Sequence, residues 1–171
     1  MRLGRFVATA ATAVALTFTA VGAAPTEAGQ RKDVVVVRGD VEHRLKLTAG
    51  ELADLPQVTV TVKFLSGSTP QTHTYTGPLL LDVINEAGPD FDPAIKNDEL
   101  AHVVTATGSD GYRATVAWGE LDPDFENKQI VVAITEDDVA LGDAGPRLVV
   151  PGDARGGRYV SDVVSLRLVD A

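Results

Sequence analysis

The chain has 171 residues, 44% of them hydrophobic, enough for one domain with a real core and too few for two. Its 24 acidic side chains outnumber 15 Lys and Arg, a formal net charge of −9 that argues against nucleic acid or an anionic membrane surface as a partner. There is no cysteine, which excludes disulfides, thiolate metal sites, iron–sulfur clusters, covalent haem attachment and a lipoprotein anchor.

Residues 1–23 read as a secretory signal peptide. Arg2 and Arg5 form the charged start, Phe6 to Val21 an uncharged run rich in Ala, Thr and Val, and Val21-Gly22-Ala23 the small residues that precede a cut. Thr26-Glu27-Ala28 is a second cleavage candidate. The alternative is a retained N-terminal anchor, but the run is short and Ala/Thr-rich for a spanning helix. Cleavage after Ala23 removes two arginines and no acid, moving the formal charge from −9 to −11. The expectation is an exported domain (periplasmic, cell-envelope or secreted) with no stable membrane span after cleavage. Residues 24–32 form a polar linker, and residues 33–171 the domain.

Val34 to Val37 is a continuous apolar run that predicts a buried strand. Arg38-Gly39-Asp40 turns the chain, and alternation from Val41 to Leu47 predicts the second arm of a hairpin. The same tripeptide is an integrin-recognition sequence, which a hairpin turn accounts for without a receptor. Thr48-Ala49-Gly50-Glu51 fits a capping box opening a short helix that Pro56 ends. Gln57 to Phe64 alternates β-branched residues, as a half-buried strand does. Leu65 to Thr72 reads as a small-residue loop and Thr72 to Thr76 as a strand. Gly77-Pro78 predicts a helix start, with Leu79, Leu80, Val83, Ile84 and Ala87 on its buried stripe and Gly88 as its cap.

Pro89 to Glu99 is a polar connection. His102 to Thr107 and Tyr112 to Trp118 flank Gly108-Ser109-Asp110-Gly111, a second hairpin signal. Gly119 to Phe125 predicts a turn or short helix, Gln129 to Thr135 a central strand, and Asp137 to Ala144 an acidic connection. Leu148 to Val150 is an apolar strand stopped by Pro151-Gly152, and together with a last strand from Tyr159 to Val169 it is expected to form the strand pair that closes the domain. About eight short strands with two or three short helices make an α+β domain.

Between the last two strands lies Asp153-Ala154-Arg155-Gly156-Gly157-Arg158. Glycines let backbone N–H groups approach a ligand, and arginine presents a planar fork that suits phosphate oxygens. A surface turn with solvated arginines is the alternative. Other motifs fail on spacing. No His-Glu-x-x-His is present, a calcium loop starting at Asp122 lacks its glycine and its final glutamate, and Ser109 does not sit in Gly-x-Ser-x-Gly.

Four segments in order resemble the sulfite-oxidase-like molybdopterin-binding oxidoreductase domain, over roughly residues 33 to 170. They are Tyr75-Thr76-Gly77-Pro78-Leu79-Leu80-Leu81-Asp82-Val83-Ile84, then Thr107-Gly108-Ser109-Asp110-Gly111-Tyr112-Arg113, then the apolar run Ile130 to Ile134 before Glu136. The fourth is Pro146-Arg147-Leu148-Val149-Val150-Pro151-Gly152 with Gly157-Arg158-Tyr159-Val160. The resemblance implies mixed β-sheets around a barrel-like core and, as ligand, molybdopterin, an anionic pterin-dithiolene that carries molybdenum and a terminal phosphate. It places Arg155, Gly156, Gly157, Arg158 and Tyr159 at the phosphate, and Tyr112 and Arg113 along the cleft. His73 falls on the rim or, alternatively, is an outward side chain on a strand.

Two departures bear on activity. Where the family shows an Arg-Ser-x-Lys-like run, this chain has Arg158-Tyr159-Val160-Ser161, so the lysine is a serine. Catalytic members ligate molybdenum through a cysteine after the strand matching Val58 to Phe64; here the chain reads Leu65-Ser66-Gly67-Ser68. Ser66 is a ligand only if the metal strips its proton, and otherwise is a turn residue. Three readings follow: a reduced molybdenum oxidoreductase with an unnamed redox partner, a binding module for a pterin, another small anion or a protein, or a purely structural domain.

Overall fold

The computed structural model describes residues 34–171; the signal-peptide and linker readings lie outside the described residues. The valine run forms β1 (Val34–Gly39), pairing antiparallel with β2 (Leu45–Thr48). The hairpin is looser than its alternation predicts, because Val41 leaves to bridge Pro89 and the second arm begins only at Leu45. Gly39 has φ +107°, and a Cβ there would stand 1.9 Å from the Leu168 carbonyl oxygen, so only glycine fits. The Asp40 N–H donates to that same oxygen at 3.0 Å, and Arg38 Nε donates to Ser165 Oγ at 3.1 Å. Arg38-Gly39-Asp40 is thereby tied into the sheet.

Thr48 caps α1 (Ala49–Asp54) as the capping box predicts, with Thr48 Oγ1 accepting from the Glu51 N–H and Glu51 accepting from the Thr48 N–H. β3 (Gln57–Ser66) and β4 (Thr69–Pro78) then pair along their whole length. The loop expected over Leu65 to Thr72 is therefore only a Gly67-Ser68 turn, with Gly67 in the left-handed conformation that a tight hairpin requires. Gly77-Pro78 ends β4 instead of starting a helix. A Cβ on Gly77 would stand 2.1 Å from the Val132 carbonyl oxygen, so this glycine serves a close strand crossing, and α2 (Leu80–Asn85) begins after it.

β5 (His102–Gly108) and β6 (Arg113–Ala117) form the second hairpin, followed by α3 (Trp118–Leu121). The central strand expected over Gln129 to Thr135 divides into β7 (Val131–Ala133) and β8 (Thr135–Glu136), and the acidic connection contributes a short β9 (Val139–Ala140). β10 (Arg147–Val149) and β11 (Val163–Asp170) do not pair with one another, contrary to the sequence expectation. β10 joins β7, whereas β11 lies between β1, which it meets in parallel, and β5. The glycine-rich loop carries the chain from one sheet to another.

Among the described residues the result is mostly β, with three short α-helices, in three sheets: β2-β1-β11-β5-β6, β3-β4-β8-β9 and β7-β10. One cluster, including Val35, Val37, Leu80, Ile84, Leu166 and Leu168, fills the space under the five-stranded sheet. Each such side chain contributes about 1.5–3 kcal/mol by its burial. A smaller cluster of Val62, Tyr75, Val131, Ala133 and Val149 lies beneath the β3–β4 hairpin. No helix among the described residues is long and apolar enough to cross a membrane.

Candidate functional site

The tip of the β3–β4 hairpin and the glycine-rich loop lie side by side. The Leu65 N–H donates to the Ala154 carbonyl at 3.0 Å, and Leu65 forms a parallel bridge with Arg155. Between them is a cleft of about 310 Å³, walled by Phe64 to Gly67 on one side and Arg155 to Gly157 on the other. Ser66, Arg155, Gly156 and Gly157 are thus brought together although Ser66 and Arg155 are far apart in sequence. Arg155 donates to the Gly67 carbonyl at 3.1 Å and has no carboxylate partner among the described residues. A Cβ on Gly156 would press into the Phe64 ring at 2.9 Å, whereas one on Gly157 would meet nothing within 4 Å. Tyr112 reaches the loop from the β5–β6 turn, its hydroxyl donating to the Gly157 carbonyl at 2.5 Å. Arg113 stands exposed on the edge strand β6, and no hydrogen bond or ion pair of its side chain is found among the described residues.

Arg158 is placed differently from Arg155. Its guanidinium forks onto Asp153, Nε to Oδ2 at 2.9 Å and NH2 to Oδ1 at 2.7 Å, while NH1 meets both oxygens of Glu120 at 2.9 and 3.1 Å. Those bonds raise its pKa above an already high value, with Asp153 the larger cause. Glu120 also takes Lys128 at 2.9 Å, and Lys128 takes Glu126 at 3.0 Å. Burial alone would push the Glu120 carboxyl up; Lys128 and Arg158 outweigh it and hold the carboxyl below the usual range. Arg158 therefore fastens the loop to α3. Its charge is matched by protein carboxylates.

Tyr159 stacks behind the cleft wall, its ring 4.6 Å from Phe64 and edge-on to Tyr75 at 6.4 Å. Its hydroxyl is buried with no hydrogen-bond partner, the only such side-chain atom among the described residues. Burial, then the charge of Asp153 and the neighbouring Tyr75, push it up to about 12. His73 lies on β4 with its ring 6.1 Å from Phe64, beside the cleft and not on its wall. It contacts Asp137 and Glu136, the latter also holding Tyr75 and Arg147.

A molybdenum centre of the sulfite-oxidase type does not fit this donor set. The chain has no thiolate, Ser66 is an exposed residue at a hairpin end, and a hydroxyl is a poor substitute for a soft sulfur donor. Of the two arginines that the resemblance assigns to the phosphate, only Arg155 faces the cleft uncompensated.

Several residues of this region escape a sequence reading. Asp153 is close enough to Arg158 in sequence to be suspected as its partner. Glu120 is 38 residues away, and nothing local announces it. Arg147 stands inside one resembling segment and Glu136 just past another, without any sign that Tyr75 would join them.

No family model matches the chain, and no curated protein does. Among solved structures it is similar to the sulfane dehydrogenase SoxCD from Paracoccus pantotrophus, at a TM-score of 0.66 and 22% identity. The match covers 85% of this chain and 40% of that one, so the chain spans well under half of the length of that protein. The likeness is one of fold.

Proposed function

We propose that the chain is an exported, non-catalytic binding module on a sulfite-oxidase-like fold, and that its cleft takes a small oxyanion such as phosphate or the phosphate of a pterin. The observation that carries this reading is Arg155. In a protein of net charge −9, it is a cation at the lip of a cleft with only a backbone carbonyl as partner among the described residues. A guanidinium in that position keeps a fork of N–H groups for two oxygens of one anion. Bare space over Gly157 allows the ligand to lie against the backbone. The Leu65–Ala154 hydrogen bond fixes the spacing of the two lips. Fold similarity to SoxCD supports the architectural part alone, and export rests on the charged start and apolar run of residues 1–23.

Phosphate titrated into the full chain by calorimetry, at constant ionic strength, tests the binding. The expected result is a saturable heat that Arg155→Ala removes and Arg113→Ala leaves intact. No saturable heat in the wild type, or the same heat in Arg155→Ala, refutes it.

A further inference from the structure

We propose a second site, independent of the cleft: His73, Glu136 and Asp137 form a binding site for a divalent transition-metal cation, zinc being the best match. β4 supplies His73, β8 supplies Glu136 and the β8–β9 turn supplies Asp137, brought over by the pairing of Tyr75 with Glu136. His73 Nδ1 lies 2.8 Å from Asp137 Oδ2 and 3.2 Å from Glu136 Oε1, and one ligand atom from each of the three residues falls within 4.8 Å of the others. Ligands on a tetrahedral zinc, at about 2.0–2.2 Å from the ion, are themselves about 3.3 Å apart. The side chains need only spread slightly to admit one.

The outer contacts separate this group from an ordinary surface ion pair. His73 Nε2 is 3.2 Å from Gln71 Oε1; in the tautomer with its proton on Nε2, that oxygen accepts it and the Nδ1 lone pair faces two carboxylate oxygens. In that tautomer three acceptor atoms converge, an arrangement that suits a metal ion. Each remaining carboxylate oxygen is already held from outside. Glu136 Oε2 accepts from Arg147 at 3.0 Å and Asp137 Oδ1 from the Thr74 N–H at 2.8 Å, while the ligand atom Glu136 Oε1 also accepts from the Tyr75 hydroxyl at 2.9 Å. A single carboxylate would satisfy a protonated histidine; two, each oriented by its own partner, match the outer shell that orients metal ligands. The Asp137 side chain is 54% exposed, so an ion can enter and water can complete its coordination.

Chelator-treated full chain titrated with zinc chloride by calorimetry decides the matter. The expected outcome is one zinc per chain, lost in His73→Asn and in Asp137→Asn and weakened about tenfold in Gln71→Ala. Metal-free melting curves monitor folding; should His73→Asn fail to fold, the more exposed Asp137→Asn carries the decision. No saturable zinc uptake overturns the site, as does uptake unchanged in the folded variant. Zinc held instead at His43 or His102 would show as such unchanged uptake.

Discussion

Arg158 and Glu120 are 38 residues apart in the chain and meet at 2.9 Å, with Asp153 gripping the other edge of the same guanidinium. This contact joins the glycine-rich loop to α3. It also removes Arg158 from the group of cations available to a ligand. Arg158→Ala should lower stability by about 1–2 kcal/mol, a figure reduced for the partial exposure of the pair. Phosphate binding should survive. Denaturant melts and calorimetry on one preparation check both, and loss of binding in a stable Arg158→Ala protein would put that arginine back in the site.

The same network sets an acid limit. Glu120 has a folded pKa below its ordinary value because Lys128 and Arg158 outweigh the effect of its burial. Its contribution is complete above the unfolded value, about 4.3, and is lost as pH falls through the lower folded value. Unfolding free energy should therefore drop below about pH 4.3, and less steeply in Glu120→Gln. Equal slopes in the two proteins would remove Glu120 from the explanation.

Tyr159 works at the other end of the scale. Its buried hydroxyl has no partner, and its pKa is pushed up to about 12. Replacing it with phenylalanine removes an unsatisfied polar group and keeps the ring against Phe64, so Tyr159→Phe should gain about 1 kcal/mol. The raised pKa also means that wild-type stability is full below the unfolded value, about 10, and declines as pH climbs toward the folded one. Tyr159→Phe should flatten that decline. A loss of stability in the variant would show that the hydroxyl has a partner in solution.

What could be read from the residues follows the range of the forces involved. The Thr48–Glu51 capping box, the valine strand and the hairpin around Gly108 to Gly111 are local, decided within a few residues, and they stand where their patterns place them. Gly77-Pro78 misled because the pair satisfies a helix start and a strand crossing equally well, and only Val132, far along the chain, chooses between them. The Leu65 to Thr72 segment looked like a loop from its small residues, yet its backbone gained more by pairing than by solvation. β10 and β11 looked like partners because they are neighbours in sequence; their separation into different sheets depends on β1 and β7. At the site, the cleft-forming residues were legible as glycines and arginines, but the sequence offered no means of telling Arg155 from Arg158. That difference lies in Glu120 and Asp153.

The cleft between Phe64–Gly67 and Arg155–Gly157 belongs to a chain with no cysteine, so it offers no thiolate to a metal. The molybdenum content of protein purified from its native source tests this most directly, since overexpression can outrun the supply of a cofactor. Elemental analysis should find no stoichiometric molybdenum. One molybdenum per chain, removed by Ser66→Ala, would contradict the account.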